Sequence, residues 1–257
     1  MLAELSKVVA ESLLSLYPVF VKNIDLPMSV QMWSRFTAYI AVSAFFIDYK
    51  YVWNAVRSPL GAGLMLVTLA HIYTSYRGFM LLDSGPAYTL FYIYPMLILL
   101  LAGKLSFWLG ALTFGGAYLL SNAESPEGVG MIVLAALTEA LIYFLVKGLK
   151  TANNWNHLFI SYVGGALLLS AYYARSLPSL LKPAVATSLG INGLIGMFGY
   201  VLRFYSMSRL DVFWYAMLSN VGIVMSYVYG YAFNGELVHF KQILGSLLVV
   251  VACMASK

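Results

Sequence analysis

The sequence predicts an all-α, polytopic membrane protein of about ten transmembrane helices, and three observations lead there. Of 257 residues, 61% are hydrophobic and only 10% charged, where a soluble domain carries roughly a quarter charged residues. Mean hydropathy is +0.82 and aromatic residues make up 16%, which is more apolar surface than one water-soluble core of this length hides. The apolar residues come in runs of membrane-crossing length with short joints between them. The surplus therefore faces lipid, and residues 1–257 read as a single transmembrane domain with no appended soluble module.

Ending each run at a charge, a proline or a Gly-rich turn places the spans in order. The first runs from Leu5 to Lys22, and the second from Val30 to Ile47, diluted by Arg35. Pro59 to Met80, Gly85 to Gly103 and Leu105 to Leu120 follow. The acidic, Pro-containing stretch Ser121 to Gly128 then breaks the pattern near half the length. Beyond it come Val129 to Lys147, Leu158 to Ala174, Pro183 to Met207, Val212 to Phe233 and Phe240 to Ala255, the seventh diluted by Gly164 and Gly165.

An odd number of spans before the break means that a related second half enters the membrane upside down, as an inverted repeat of halves 1–123 and 124–257. Two echoes fit such a duplication. Phe20-Val21-Lys22 closes the first span as Leu145-Val146-Lys147 closes the sixth, and Arg77 and Arg203 recur near the ends of the third and eighth. With the N-terminus inside, nine Lys and Arg fall in inner connections (Lys7, Lys50, Arg57, Lys104, Lys147, Lys150, Arg203, Arg209 and Lys257) and six elsewhere. That bias predicts a multi-pass protein with both termini in the cytoplasm. No small-residue cleavage site follows the first apolar run, so it is expected to stay as its own insertion signal. A net charge of +5 made of scattered cations argues against a nucleic-acid partner. The single Cys253 excludes an internal disulfide.

The stretch Gly235-Glu236-Leu237-Val238-His239-Phe240-Lys241-Gln242-Ile243-Leu244-Gly245 resembles the acidic residue, short turn, Gln and Gly that lead into the last span of the drug/metabolite transporter superfamily, in its EamA-like branch. Tyr94-Pro95 is similar to the family's proline in the fourth span, and Arg35 to the Arg opening its second. Two positions depart from the pattern: Gly103-Lys104-Leu105 lacks an acidic residue before the fifth span, and Asn220-Val221 stands where a Pro is usual. The resemblance implies a five-plus-five inverted repeat and transport of a small solute. It also implies a central cavity enclosed by spans 1, 3, 4, 6, 8 and 9, with spans 5 and 10 peripheral. It does not imply which cargo.

Against that frame, Glu139 in the middle of the sixth span is the most informative residue. A bare carboxylate there costs several kcal/mol unless paired, protonated or wet. It reads as a proton or substrate-amine site, or as a structural carboxyl bonded to a neighbouring span. Glu11 follows Lys7 by one turn, which gives either an i, i+4 pair near the inner interface or a carboxylate facing Glu139, the two sharing a proton or a cation. Arg77 and Arg203 are expected at opposite mouths, attracting an anionic group or snorkelling to the headgroups. Tyr17, Tyr94, Tyr143, Trp214 and Tyr215 offer polar tips on apolar bodies for gripping a solute, or serve packing and interfacial belts. Asn192 and Asn220 read as cargo contacts or interhelical ties, and Gly190, Gly193, Gly196 and Gly199 as a smooth packing stripe.

Enzyme signatures are missing: His71, His157 and His239 are not at metal-ligand spacing, and no phosphate loop or nucleophile elbow occurs. The expectation is a secondary transporter that moves a small metabolite, an amino acid or similar solute, across a membrane by alternating access, with no enzymatic activity and no cofactor or metal. Its partners are a small-molecule solute and the lipid bilayer, with a homodimer left open. The alternatives are an exchanger of phosphorylated or nucleotide-linked solutes using Arg77 and Arg203, and a membrane scaffold without a pathway. Cargo, direction, coupling ion and host membrane are not legible.

Overall fold

The structure, a computed structural model, describes residues 1–104, 106–121, 125–173 and 183–255. Every element among them is an α-helix. The expected start of the fifth span at Leu105, the end of the seventh at Ala174, Arg175, Lys182 and the boundary between the halves at 123–124 lie outside the described residues.

In chain order the helices are α1 (Leu2–Leu14), α2 (Tyr17–Asn23), α3 (Met28–Ser43), α4 (Tyr49–Val56), α5 (Pro59–Leu81), α6 (Ser84–Phe91), α7 (Tyr94–Leu101) and α8 (Phe107–Ser121). Then follow α9 (Pro126–Gly148), α10 (Asn154–Tyr173), α11 (Pro183–Arg209), α12 (Val212–Ser219), α13 (Val221–Asn234) and α14 (Phe240–Met254). Caps set several of these ends. Ser58 accepts from the Gly61 amide at 3.1 Å to open α5, and Asp211 accepts from Phe213 and Trp214 at 2.9 and 3.0 Å to open α12. Gly235, at φ +64, closes α13.

Among the described residues, length and composition qualify three stretches to cross a membrane: Ser84–Leu101, Pro126–Gly148 and Val212–Asn234. A fourth qualifies only if α4 and α5, bent by 81°, count as one span. The expected start of α5 at Pro59 holds and its end differs by one residue, whereas α4 is a short helix that the length rule read as a loop. Its Val52 and Ala55 are buried while Trp53 is exposed, so α4 is half-apolar and lies across the end of α5.

Three expected spans are broken in the middle. Between α1 and α2, Pro18 has no N–H for the Leu14 carbonyl, and the Tyr88 hydroxyl donates to that carbonyl instead. Between α6 and α7, Pro95 breaks the ladder in the same way. Between α12 and α13 there is no proline; Asn220 turns its side-chain amide onto the Met217 carbonyl at 3.1 Å, competing with the helix. The three breaks meet. Ser15 Oγ donates to the Gly222 carbonyl at 3.0 Å, Tyr94 OH and Ser219 Oγ are 2.8 Å apart, and any side chain at position 222 would collide with the Tyr92 hydroxyl.

Around this centre α5 lies along α9, α1 along α11, α3 along α10, and α6–α7 against α13 and α12. Helices α8 and α14 pair at the periphery, where a Cβ on Gly116 would stand 2.7 Å from the Gly245 carbonyl oxygen and one on Gly245 2.9 Å from that of Gly116. Of the glycine stripe, Gly193, Gly196 and Gly199 face Ala38, the Tyr17 and Tyr39 hydroxyls and Leu14, whereas Gly190 faces open space. Large apolar side chains such as Phe107, Trp108, Phe240 and Leu247 are exposed outside, while Lys7, Glu11, Gln31, Glu139 and Arg203 are buried inside. That arrangement suits a lipid solvent, which penalises outward polar groups rather than outward apolar ones.

Candidate functional site

Three ionisable residues from three helices form the centre. Arg203 of α11 donates from Nη2 to Glu11 Oε2 at 2.6 Å and from Nε to Glu11 Oε1 at 3.2 Å, a two-pronged contact with α1. Its Nη1 donates to Glu139 Oε1 of α9 at 2.8 Å. All three side chains are at most 1% exposed. Two carboxylates thus share one guanidinium, and only such direct contacts keep buried charges affordable.

Further contacts load the same glutamates. Lys7, one turn before Glu11, pairs with its Oε1, donates to Tyr94 OH at 3.0 Å and lies 3.5 Å from the centre of the Tyr215 ring. Tyr92 OH donates to Glu11 Oε2. His71 Nε2 stands 3.4 Å from Glu139 Oε2 and 3.1 Å from Tyr200 OH, with Nδ1 at 3.1 Å from the Ala135 carbonyl. Glu139 Oε2 makes no hydrogen bond of its own.

Beside this cluster sits a second buried cation. Arg35 of α3 is 4% exposed, and its guanidinium carbon lies 4.3, 5.3 and 5.1 Å from the ring centres of Tyr17, Tyr39 and Tyr200. Its Nη2 donates to Tyr162 OH at 2.9 Å. Arg35, His71, Arg203, Tyr17, Tyr88 and Tyr200 line a central cavity of about 20 Å³, space for about one water.

Most of the residues expected at the site are brought together here, and some are not. Glu139, Glu11, Arg203, Tyr17, Tyr94, Tyr143 and Tyr215 are all buried in or beside the cluster. Asn220 lies at the break between α12 and α13. Arg203 is a correction: it was expected at a mouth but is held in the core by two carboxylates. Arg77 stays at the rim, where its Nε donates to Glu127 at 2.8 Å, so the two arginines are not equivalent. Trp214 is also a correction, being 46% exposed; its neighbour Tyr215 faces inward, and one residue along a helix turns a side chain by about 100°. Lys7, expected in an inner connection, is fully buried. Its i, i+4 pair with Glu11 is present, and Glu11 and Glu139 come together through Arg203, which pairs with both.

Sequence reasoning weighed His71 as a metal ligand alone, passed over Tyr92 and Tyr200, and took Arg35 as a family mark and a dilution of the second span. The rule that selected Glu139, an ionisable group inside an apolar run, applies equally to His71 and Arg35. No group of His, Cys, Asp or Glu arranged to hold a metal occurs among the described residues.

At one end of the bundle, Glu236 ties three segments. It accepts from the Ser84 amide and hydroxyl at 2.7 and 2.8 Å, from Lys22 at 3.0 Å and from Asn234 at 3.1 Å. It thus caps α6 from a distant turn. Its carboxyl is largely buried, which raises its pKa, but hydrogen bonds from Asn234, Ser84 and Lys22 and the Lys22 charge outweigh that and hold it below the usual carboxylate value.

A family model described as "EamA-like transporter family" matches residues 126–256, about half of the chain. No curated protein matches. A solved crystal structure shares the fold with a TM-score of 0.67 at 15% identity, the match covering 99% of this chain and 95% of that one.

Proposed function

The chain belongs to the EamA-like transporter family, within the drug/metabolite transporter superfamily, and from that premise we propose that it moves a small metabolite across a membrane by alternating access. Members of this multi-pass integral membrane family transport small solutes and are not enzymes. The observation that carries the proposal is the Glu11–Arg203–Glu139 centre. It joins helices of the two proposed halves, 1–123 and 124–257, at the place where three broken helices meet, and broken helices at such a depth are tolerated where they line a site.

The ten-span, inverted five-plus-five layout belongs to the same proposal, and the helix pairing supports it. If α1–α2, α3, α5, α6–α7 and α8 correspond to α9, α10, α11, α12–α13 and α14, then the α5–α9 and α1–α11 packings are copies of one another. The α3–α10 and α8–α14 pairs map onto themselves, as a pseudo-two-fold axis requires. Loop contacts agree. Lys22, Asp83 and Glu236 meet at one end; Tyr51 donates to the Leu149 carbonyl and Lys147 to the Leu210 carbonyl at the other. With Lys7, Arg203 and Arg35 in the core rather than in loops, the remaining Lys and Arg still favour the cytoplasm for both termini, seven against five.

The mechanism follows from charge. With both glutamates ionised, Arg203 holds α1, α9 and α11 together around a cavity too small for cargo. A proton on Glu139 removes one of its two anchors and lets α9 part from α11, while Glu11 keeps Lys7, Tyr92 and Arg203. Glu139 thus couples protonation to opening. In proteoliposomes, Glu139→Gln is expected to slow flux driven by a pH gradient by about tenfold while leaving solute exchange intact. Equal flux of wild type and variant at every pH removes the coupling. The exchanger of phosphorylated solutes loses support, because Arg77 and Arg203 are already neutralised by glutamates. The small cavity favours one second reading, a scaffold without a pathway, which predicts no flux of any solute through correctly folded protein.

A further inference from the structure

Arg35 is the one cation of the centre without a carboxylate within 4.0 Å among the described residues, whereas Lys7 and Arg203 each have one or more. One of its nitrogens donates to Tyr162, and among the described residues Nε has no hydrogen-bond partner. The Tyr76 hydroxyl, whose ring centre is 5.7 Å from the Arg35 guanidinium, is likewise buried and unpartnered. Aromatic faces attract a guanidinium but accept no in-plane hydrogen bonds. A buried charge with unmet donors, bordering a cavity, is an incomplete ion pair.

We infer that Arg35 is the docking point for a carboxylate of the cargo, so that the solutes moved are small carboxylate-bearing molecules. This rests on the transport reading for the word cargo, though the site itself does not. A guanidinium fork matches a carboxylate's two oxygens, and one negative charge balances the one unpaired positive charge. A phosphate dianion would bring a second negative charge into a pocket whose other arginine already serves Glu11 and Glu139. Once the cavity opens, the tyrosine rings around Arg35 suit a short, partly apolar body next to the carboxylate. Bound there, the carboxylate joins α3 to the cavity wall carried by α2, α5 and α11.

The test is thermal unfolding of the purified full-length protein in detergent. Matched pairs are added at equal concentration: lactate and lactamide, phenylacetate and phenylacetamide, alanine and alaninamide, with inorganic phosphate as a further probe. At least one carboxylate is expected to raise Tm by about 3 °C or more at saturation while its amide does not. The shift disappears in Arg35→Gln and shrinks in Arg35→Lys, which keeps the charge and loses the fork. The pairs are read on the wild type first, so a variant that fails to fold leaves that comparison decisive. No carboxylate-selective shift in any pair overturns the inference, as does an undiminished shift in Arg35→Gln or protection by phosphate alone. Flux assays separate the two proposals. Carboxylate protection without flux sinks transport and keeps the site; flux of carboxylate-free solutes unaffected by Arg35→Gln does the reverse.

Discussion

Arg203 decides whether the centre is stable or ruinous. Its guanidinium satisfies three carboxylate oxygens with 1% exposure, so removing it strands buried negative charge. Arg203→Leu is expected to cost about 3–5 kcal/mol, the usual penalty for deleting one partner of a buried pair. The two glutamates do not suffer equally. Glu11 retains Lys7 and Tyr92, whereas Glu139 keeps only His71 at 3.4 Å. Adding Glu139→Gln to Arg203→Leu is therefore expected to restore part of the lost stability, a non-additivity that thermal melts of the two variants read directly. Equal or greater instability in the double variant would show that Glu139 is not held by Arg203.

Among the elements, broken spans and their external caps set the architecture. Pro18 and Pro95 free carbonyls that a continuous helix would use, and Tyr88 takes up the one at Leu14. Glu236, the acidic residue of the stretch before α14, caps α6 and holds Lys22 at the end of α2. Since its folded carboxyl lies below its ordinary value, the ionised form stabilises the fold. That contribution is complete above the unfolded carboxylate value and is lost as pH falls through the folded one. Glu236→Gln is expected to lower Tm by several degrees at pH 7, losing charge-assisted bonds worth about 1.5–3 kcal/mol in total. The gap between wild type and variant should stay constant above about pH 5 and close on further acidification. A gap that widens in acid would mean that the carboxyl is raised rather than lowered.

For the whole molecule, the pairing of helices across a pseudo-two-fold axis carries the proposed topology. An even number of crossings puts both ends of the chain on one face. Tags placed before Met1 and after Lys257 are expected to be cut together by a protease added to one side of sealed vesicles, and to be protected together from the other. Tags on opposite faces would remove the inverted repeat and with it the alternating-access reading. On the proposed alternating-access reading, the small central cavity corresponds to a closed state, with the Lys22–Glu236 contacts at one end and the Tyr51–Leu149 and Lys147–Leu210 bonds at the other. Breaking either set is the local event that opening demands.

Sequence alone determined the solvent, the helical class and where the apolar runs lie, though not that three of them are broken or that α4 is a helix, because apolar run length is a one-dimensional property that the bilayer imposes directly. Pro59–Leu81 and Phe240–Met254 were placed to within a residue. It also marked Glu139, since an isolated charge in an apolar run is conspicuous without any fold, and Glu11 through its spacing of one turn from Lys7. Which charges meet was beyond it. Run length says nothing of the direction a side chain takes around its helix, so Tyr215 and Trp214 looked alike although one is buried and the other half exposed. Nor can it say that Lys7, near the start of the chain, lies in the core rather than at the membrane edge. Only tertiary packing of α1, α9 and α11 made Arg203 the shared partner of two carboxylates and left Arg35 without one among the described residues, because charge balance belongs to a volume and not to a string.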